Sequence, residues 1–378
     1  MGSHSRVHYM DNLRAFAILL GIFFHAALAY SPTLNQIWIT ASLENSVIVD
    51  FIAFFSHSFR MPLFFLIAGF FAALLIQKKG LGAMLKNRLL RITLPFAIFL
   101  PLVILAFLVL IGLAMESVQA KSPLLGFISM MALSPDAPDP PLTTTHLWFL
   151  YQLTFFYIVT AIAVRWINFD WMSHIIKVSK LFLMLAPLLL VPALITQHAP
   201  FPAPEQFTPQ LWSFGFFGLF FLFGYGLFNY QHFLDKLQPY VWVMLATSVA
   251  TYILFFQILP KQMSMQEIMT LMSVSPSVDF KQASIAILQA YISVFMSLAL
   301  LIIGRNLFDK QNSSMKLIAD SSYWTYIIHL PVLWLIQFVM LDTEWSLLID
   351  FLISSLGTIL IGLVSYLLFV RWTQMAGY

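Results

Sequence analysis

Apolar stretches long enough to cross a membrane recur along the chain, each separated from the next by a polar or basic break. They fall at residues 13–30, 47–77, 93–114, 145–165, 181–197, 212–229, 239–258, 284–304, 322–340 and 347–370. A spanning helix needs about 20 mostly apolar residues. The pattern therefore predicts an all-α, polytopic transmembrane bundle of about ten helices. Two polar segments are longer than the rest. Residues 115–144 include SPDAPDPPLTTT, whose prolines exclude a continuing helix, and residues 259–283 are rich in Met and Gln. No internal repeat, direct or inverted, is visible, which disfavours repeat-built transporter architectures.

Composition agrees with the pattern. Of 378 residues, 60% are hydrophobic and 9% charged, against about 25% charged in soluble domains. With no cysteine there is no disulfide, thiol nucleophile or Cys-based metal site. The net charge of +3 matters less than its distribution. With a cytoplasmic N-terminus, fifteen of the nineteen Lys and Arg lie on the cytoplasmic side, only Lys121, Lys261 and Lys281 lie outside, and Arg60 sits within a span. The positive-inside rule then puts both termini in the cytoplasm and an even number of spans in a bacterial inner membrane. MGSHS at residues 1–5 reads as an expression-tag remnant, which leaves residues 9–378 as a single transmembrane domain. Ala27-Leu28-Ala29 resembles a signal-peptidase site, but the run before it carries a histidine, so the first span is read as retained.

Ionisable residues inside these spans are expensive and mark candidate chemistry. Arg14 and His25 share the first span, LRAFAILLGIFFHAALAY. Eleven residues make about three turns, so both lie on one helix face about 16 Å apart. Gly21 shares that face and is expected to leave room beside His25. The second span holds His57 and Arg60 three residues apart, then Pro62, which is expected to kink or loosen the helix. The bland role for Arg60 is a tether to an acid such as Asp50 or to backbone carbonyls. Arg88 and Arg91, with Lys86 near them, form a basic pair suited to phosphate oxygens, or else to ordinary headgroup anchoring. His146 lies beside Trp148 and Tyr151 at the start of span 4, where aromatics also serve as interface anchors. Tyr323, Tyr326 and His329 form a polar stripe on span 9, readable as a site or as interhelical hydrogen bonding. Asp320, Ser321 and Ser322 are candidate caps for that helix. HExxH, Gly-rich phosphate loops and GxSxG are all missing, and no metal site is expected. Histidine, with an unperturbed pKa near 6.5, is then the best candidate general base.

R-x10-H from Arg14 to His25, the Arg-x-x-Arg pair at 88 and 91, ten spans and S-Y-x-x-Y-x-x-H-x-P in span 9 together resemble the acyltransferase type 3 family of membrane O-acyltransferases. The resemblance runs from about Tyr9 to the last span. DNLRAFAILLGIFFHAALAYS, HSFRMPLFFLIAGFF, HLWFL and YIIHLPV look closest to a branch associated with succinylating periplasmic glucans. No fused extracytoplasmic hydrolase-like domain is evident, as expected of a stand-alone transmembrane enzyme.

The resemblance implies a cytoplasmic acyl-coenzyme A co-substrate, acetyl- or succinyl-CoA, with no permanently bound cofactor. It implies a glycan hydroxyl acceptor outside, His25 as the catalytic histidine, and Arg14, Arg88 and Arg91 as donor-binding residues. Arg60 is then a candidate for stabilising the oxyanion or reading an acidic acyl group. His57, His146, Trp148, Tyr323, Tyr326 and His329 are candidate acceptor or supporting residues. The partners expected are donor, glycan and lipid bilayer, with no nucleic acid, and a homo-oligomer is compatible with the sequence. The rival reading is a transporter or flippase whose path is lined by His25, Arg60 and His329; a third is a scaffold whose polar groups lock helices together.

Overall fold

The computed structural model describes residues 7–134, 142–166, 180–199, 203–309 and 312–373. Residues 1–6 with the expected tag and Arg6, residues 135–141 of the proline-rich segment, and Lys177 and Lys310 of the charge count lie outside them. The described residues form helices and connecting turns with no strand. The main helices are α1 (His8–Ala27), α2 (Val47–Lys79), α3 (Leu81–Arg88), α4 (Leu94–Ser117), α5 (Pro123–Met131), α6 (Trp148–Trp166), α7 (Leu211–Leu227), α8 (Val241–Ile258), α9 (Met265–Ser273), α10 (Phe280–Leu307), α11 (Ser313–Met340) and α12 (Leu347–Ser365).

Eight stretches among the described residues are long and apolar enough to span a membrane. The expected ten are not all matched. Leu183–Leu194 and α7 are apolar but shorter. At 1.5 Å per residue they reach only about 18 Å and 26 Å, against a hydrocarbon core of about 30 Å. The two long polar segments are not plain loops. One contains α5, opened by the Ser122 hydroxyl accepting from the Leu125 N–H and by Pro123 in the first turn. The other contains α9, opened by a capping box between Ser264 and Glu267. α11 also starts earlier than span 9 suggested. Asn312 supplies the capping oxygen, accepting from the Met315 N–H at 2.8 Å. Asp320, Ser321 and Ser322 therefore sit inside the helix rather than capping it, because a polar turn extends it N-terminally.

α2 is the central mast. A Cβ added at Gly69 would lie 1.9 Å from the Phe221 carbonyl oxygen, and one at Gly224 1.8 Å from that of Leu66. Only glycines let α2 and α7 touch backbone to backbone, the small-residue contact common between membrane helices. Phe65 of α2 is enclosed by Trp148, Phe149, Phe156 and Phe217.

Pro62 does not interrupt α2. It has no N–H for the Ser58 carbonyl, but that oxygen accepts instead from Gln289 Nε2 at 2.9 Å and Ser293 Oγ at 2.6 Å, both on α10. A freed carbonyl inside a membrane bundle needs such a partner. The defect stitches two helices together.

Candidate active site

A cavity of about 2160 Å³ runs through the bundle, larger than the roughly 300–1,000 Å³ of common ligand pockets. Arg14, His25, His57, Arg60, Arg88, Arg91, His146, Trp148, Tyr323, Tyr326 and His329 all line it. The folded chain thus gathers every candidate residue from α1, α2, α3, α6, α11 and the turns beside them around one space.

One end of the cavity is cationic. Arg14 and His25 do share the lining face of α1. Arg14 pairs with Asp11 at 3.4 Å and lies 5.9 Å from the Phe71 ring. Arg88 stacks at 5.1 Å on Tyr157, and its Nε has no hydrogen-bond partner in the protein. Arg88 ends α3, and Arg91 sits in the π-turn Leu89–Thr93 that follows. Such widened turns recur at functional sites. Lys86 is not among the lining residues; Lys78 and Lys79, from the end of α2, are. α2 runs to Lys79, so its last turn supplies these two cations. Five cationic side chains therefore face one opening.

Midway lies an imidazole cluster. The His25 and His329 rings are 5.2 Å apart, and those of His329 and His146 4.9 Å apart. His57 stacks on Phe24 at 4.8 Å. Arg60 sits 4.5 Å over that same ring. Phe24, unremarked in the sequence, is the platform between them. Gly21 makes room for Arg60 rather than His25, since a Cβ there would approach the Arg60 Nε at 3.8 Å. Arg60 is not tethered to Asp50, whose carboxylate accepts instead from the Thr33 hydroxyl at 2.6 Å and the Thr33 N–H at 3.2 Å. It donates to the Leu20 carbonyl at a long 3.5 Å. The guanidinium therefore stands buried in the cavity wall with no carboxylate partner among the described residues. Nor do three His, Asp or Glu side chains among them converge as a metal site.

The tautomers follow from the backbone. Pro331 deprives the Ile327 carbonyl of its helical donor, and the His146 Nε2 takes that place at 3.0 Å. An N–H must face a carbonyl, so His146 carries its proton on Nε2. Its Nδ1 has no partner. His329 places Nδ1 2.6 Å from the Tyr326 carbonyl, which leaves its Nε2 as the unpartnered nitrogen. The His25 Nδ1 is unpartnered as well. The tyrosine stripe is structural in its hydroxyls: Tyr323 donates to the Arg91 carbonyl and Tyr326 to the His146 carbonyl, each at 2.7 Å.

His146 is held from its other side by strain. Thr145 has φ of 50°, a left-handed conformation costly for a β-branched residue. Trp38, also missed in the sequence, stands 6.0 Å from the His25 ring with its indole N–H unpartnered. Hydrogen bonds fix its loop. Thr40 donates to Gln337 at 2.6 Å, and Gln337 donates to the Ala26 carbonyl at 3.1 Å. The only signal for Trp38 in the sequence was an aromatic residue in a short polar break.

A helical bundle with eight spanning-length helices among the described residues, around a histidine-bearing cavity, defines a multi-pass membrane protein. The particular class follows from comparison: residues 7–369 match the Acyltransferase domain of the type 3 family, and the chain belongs to that family. The chain is 37% identical over 100 residues to the Glucans biosynthesis protein C of Escherichia coli K12, and equally so to that of Escherichia coli O1:K1. The aligned stretch covers 26% of this chain and 25% of each relative. No solved structure matches the chain.

Proposed function

We propose that this protein is an inner-membrane O-acyltransferase that moves an acetyl or succinyl group from cytoplasmic acyl-CoA to a hydroxyl of an extracytoplasmic glycan. The observation that carries the reading is the single cavity joining a five-cation mouth to the His25 cluster. The charge asymmetry of the loops supports a cytoplasmic position for the cationic mouth. Glucan as the acceptor class is suggested by the name of the bacterial relatives.

Arg88, Arg91, Lys78 and Lys79 would hold the coenzyme's phosphates, Arg88 and Arg91 by bidentate hydrogen bonds. Arg14 sits one step inside. The pantetheine arm then lies along the α1 face and delivers the thioester toward His25, about 16 Å from Arg14 along the helix. Neutral His25 removes the acceptor's O–H proton as the oxygen attacks the thioester carbon. Arg60 and the Trp38 N–H stabilise the oxyanion that forms. The C–S bond breaks, His25 returns the proton to the departing sulfur, and the products are ester and free coenzyme A.

The decisive experiment uses purified protein with acetyl- and succinyl-CoA. Arg88→Ala is expected to lose donor binding, and His25→Ala to bind donor yet release no free coenzyme A. Full acyl transfer by His25→Ala would overturn the mechanism. Absence of binding by either donor would favour transport over transfer.

A further inference from the structure

Beyond the histidines the cavity changes chemistry. Its far arm is walled by Leu142 and Thr143, residues of the segment 203–210, and α9 with residues 274–276. No lysine or arginine among the described residues lines that arm. Thr143, Gln197, Glu205, Gln206 and Gln210 do, with the Phe207 ring among them.

The arm is preformed. The N–H and hydroxyl of Thr144 both donate to the Glu205 carbonyl at 2.8 Å, pinning that segment to the strained turn before His146. His198 bonds to the Val274 carbonyl at 2.7 Å, and Gln282 donates to the Gln197 carbonyl at 2.6 Å. The backbone of Glu205 is thus fixed, while its carboxyl has no hydrogen-bond or ion-pair partner among the described residues. Burial pushes that carboxyl up to about 7, so near neutral pH it can donate as well as accept. One lining donor is buried without a partner, the Trp38 indole N–H. Trp38 also reaches the His25 ring.

Carboxyl, amide and hydroxyl groups beside aromatic rings match the mixed donors, acceptors and apolar faces of a sugar. A phosphate or carboxylate ligand would meet Glu205 and find no cation. The geometry points to the far arm as a subsite for a neutral polyhydroxylated chain, with Glu205 bonding its hydroxyls and Trp38 guiding the terminal sugar to His25. That final clause rests on the proposed transfer reaction; the binding site does not.

The test is calorimetric titration of the full chain in lipid nanodiscs with a neutral glucose oligosaccharide, and separately with coenzyme A. Glu205→Ala should weaken oligosaccharide binding about tenfold, the loss of roughly one good hydrogen-bonding group. Glu205→Gln should retain most of it, and coenzyme A affinity should be unchanged in both. Equal oligosaccharide affinity in Glu205→Ala, no oligosaccharide binding by the unaltered protein, or tighter binding of a uronic-acid oligosaccharide would each overturn the subsite. Failure of the transfer reading would show differently, as no coenzyme A released from acyl-CoA whatever the oligosaccharide result.

Discussion

Pro62 and Pro331 create the same local defect, and the bundle uses them in opposite ways. Each removes the N–H that would have met the carbonyl four residues back. On α2, the freed Ser58 oxygen is taken by Gln289 and Ser293 of a neighbouring helix, and the result is a structural stitch. On α11, the freed Ile327 oxygen is taken by His146, and the result is an imidazole with a defined tautomer facing the cavity. A proline-freed carbonyl in a membrane helix is a socket, and what occupies it decides whether the site is packing or chemistry.

The sharpest way to break this contrast is to empty the catalytic-side socket. His146→Leu should lower turnover about 100-fold, the cost of displacing the adjoining His329 and His25 rings by roughly 1 Å, with acyl-CoA affinity unchanged. Unchanged turnover would make the Pro331 socket merely structural. Emptying the other socket with Gln289→Leu and Ser293→Ala together should cost about 1–3 kcal/mol of stability, the penalty of a buried orphan carbonyl. It would be read as a lower unfolding midpoint in detergent, with turnover per folded molecule unaffected. A matching loss of turnover would erase the distinction.

Restoring the missing donors gives a subtler pair. In Pro331→Ala the new N–H competes with His146 for the Ile327 oxygen, so turnover should fall several-fold, whereas Pro62→Ala should leave it unchanged. Steady-state kinetics on both variants checks this directly. The smallest effect belongs to Thr145→Gly. Glycine tolerates the left-handed backbone, so about 1 kcal/mol of strain should be relieved and the unfolding midpoint should rise slightly. Turnover should drop modestly as His146 loosens; a rise in turnover would show that the strain serves no positioning role.

Much of this was legible in the chain. Buried charge in apolar runs singled out Arg14, His25, Arg60 and His329, because placing them in lipid is so costly that an interior path is the natural reason for them. The proline after His329 was legible as well, but its partner was not: His146 lies 181 residues from Ile327. Trp38, Phe24 and Glu205 were invisible for a related reason. An aromatic or acidic residue in a loop or on an apolar face has no local pattern that distinguishes packing from a cavity wall. Hydropathy marked spans at Leu183–Leu194 and α7, where the described helices are apolar but shorter than the other eight, because apolar composition alone does not fix helix length.

The sequence by itself determined a helical membrane bundle, the helix face shared by Arg14 and His25, and the family. These follow from hydropathy, the 3.6-residue period and short motifs, all of which are local. Only the tertiary structure decided that Arg60 packs beside Gly21 over Phe24, that Lys78 and Lys79 replace Lys86 at the cationic mouth, and which nitrogen of His146 and His329 is left open. Those outcomes depend on which helices meet and on which backbone carbonyls prolines leave free, and packing between distant segments settles both.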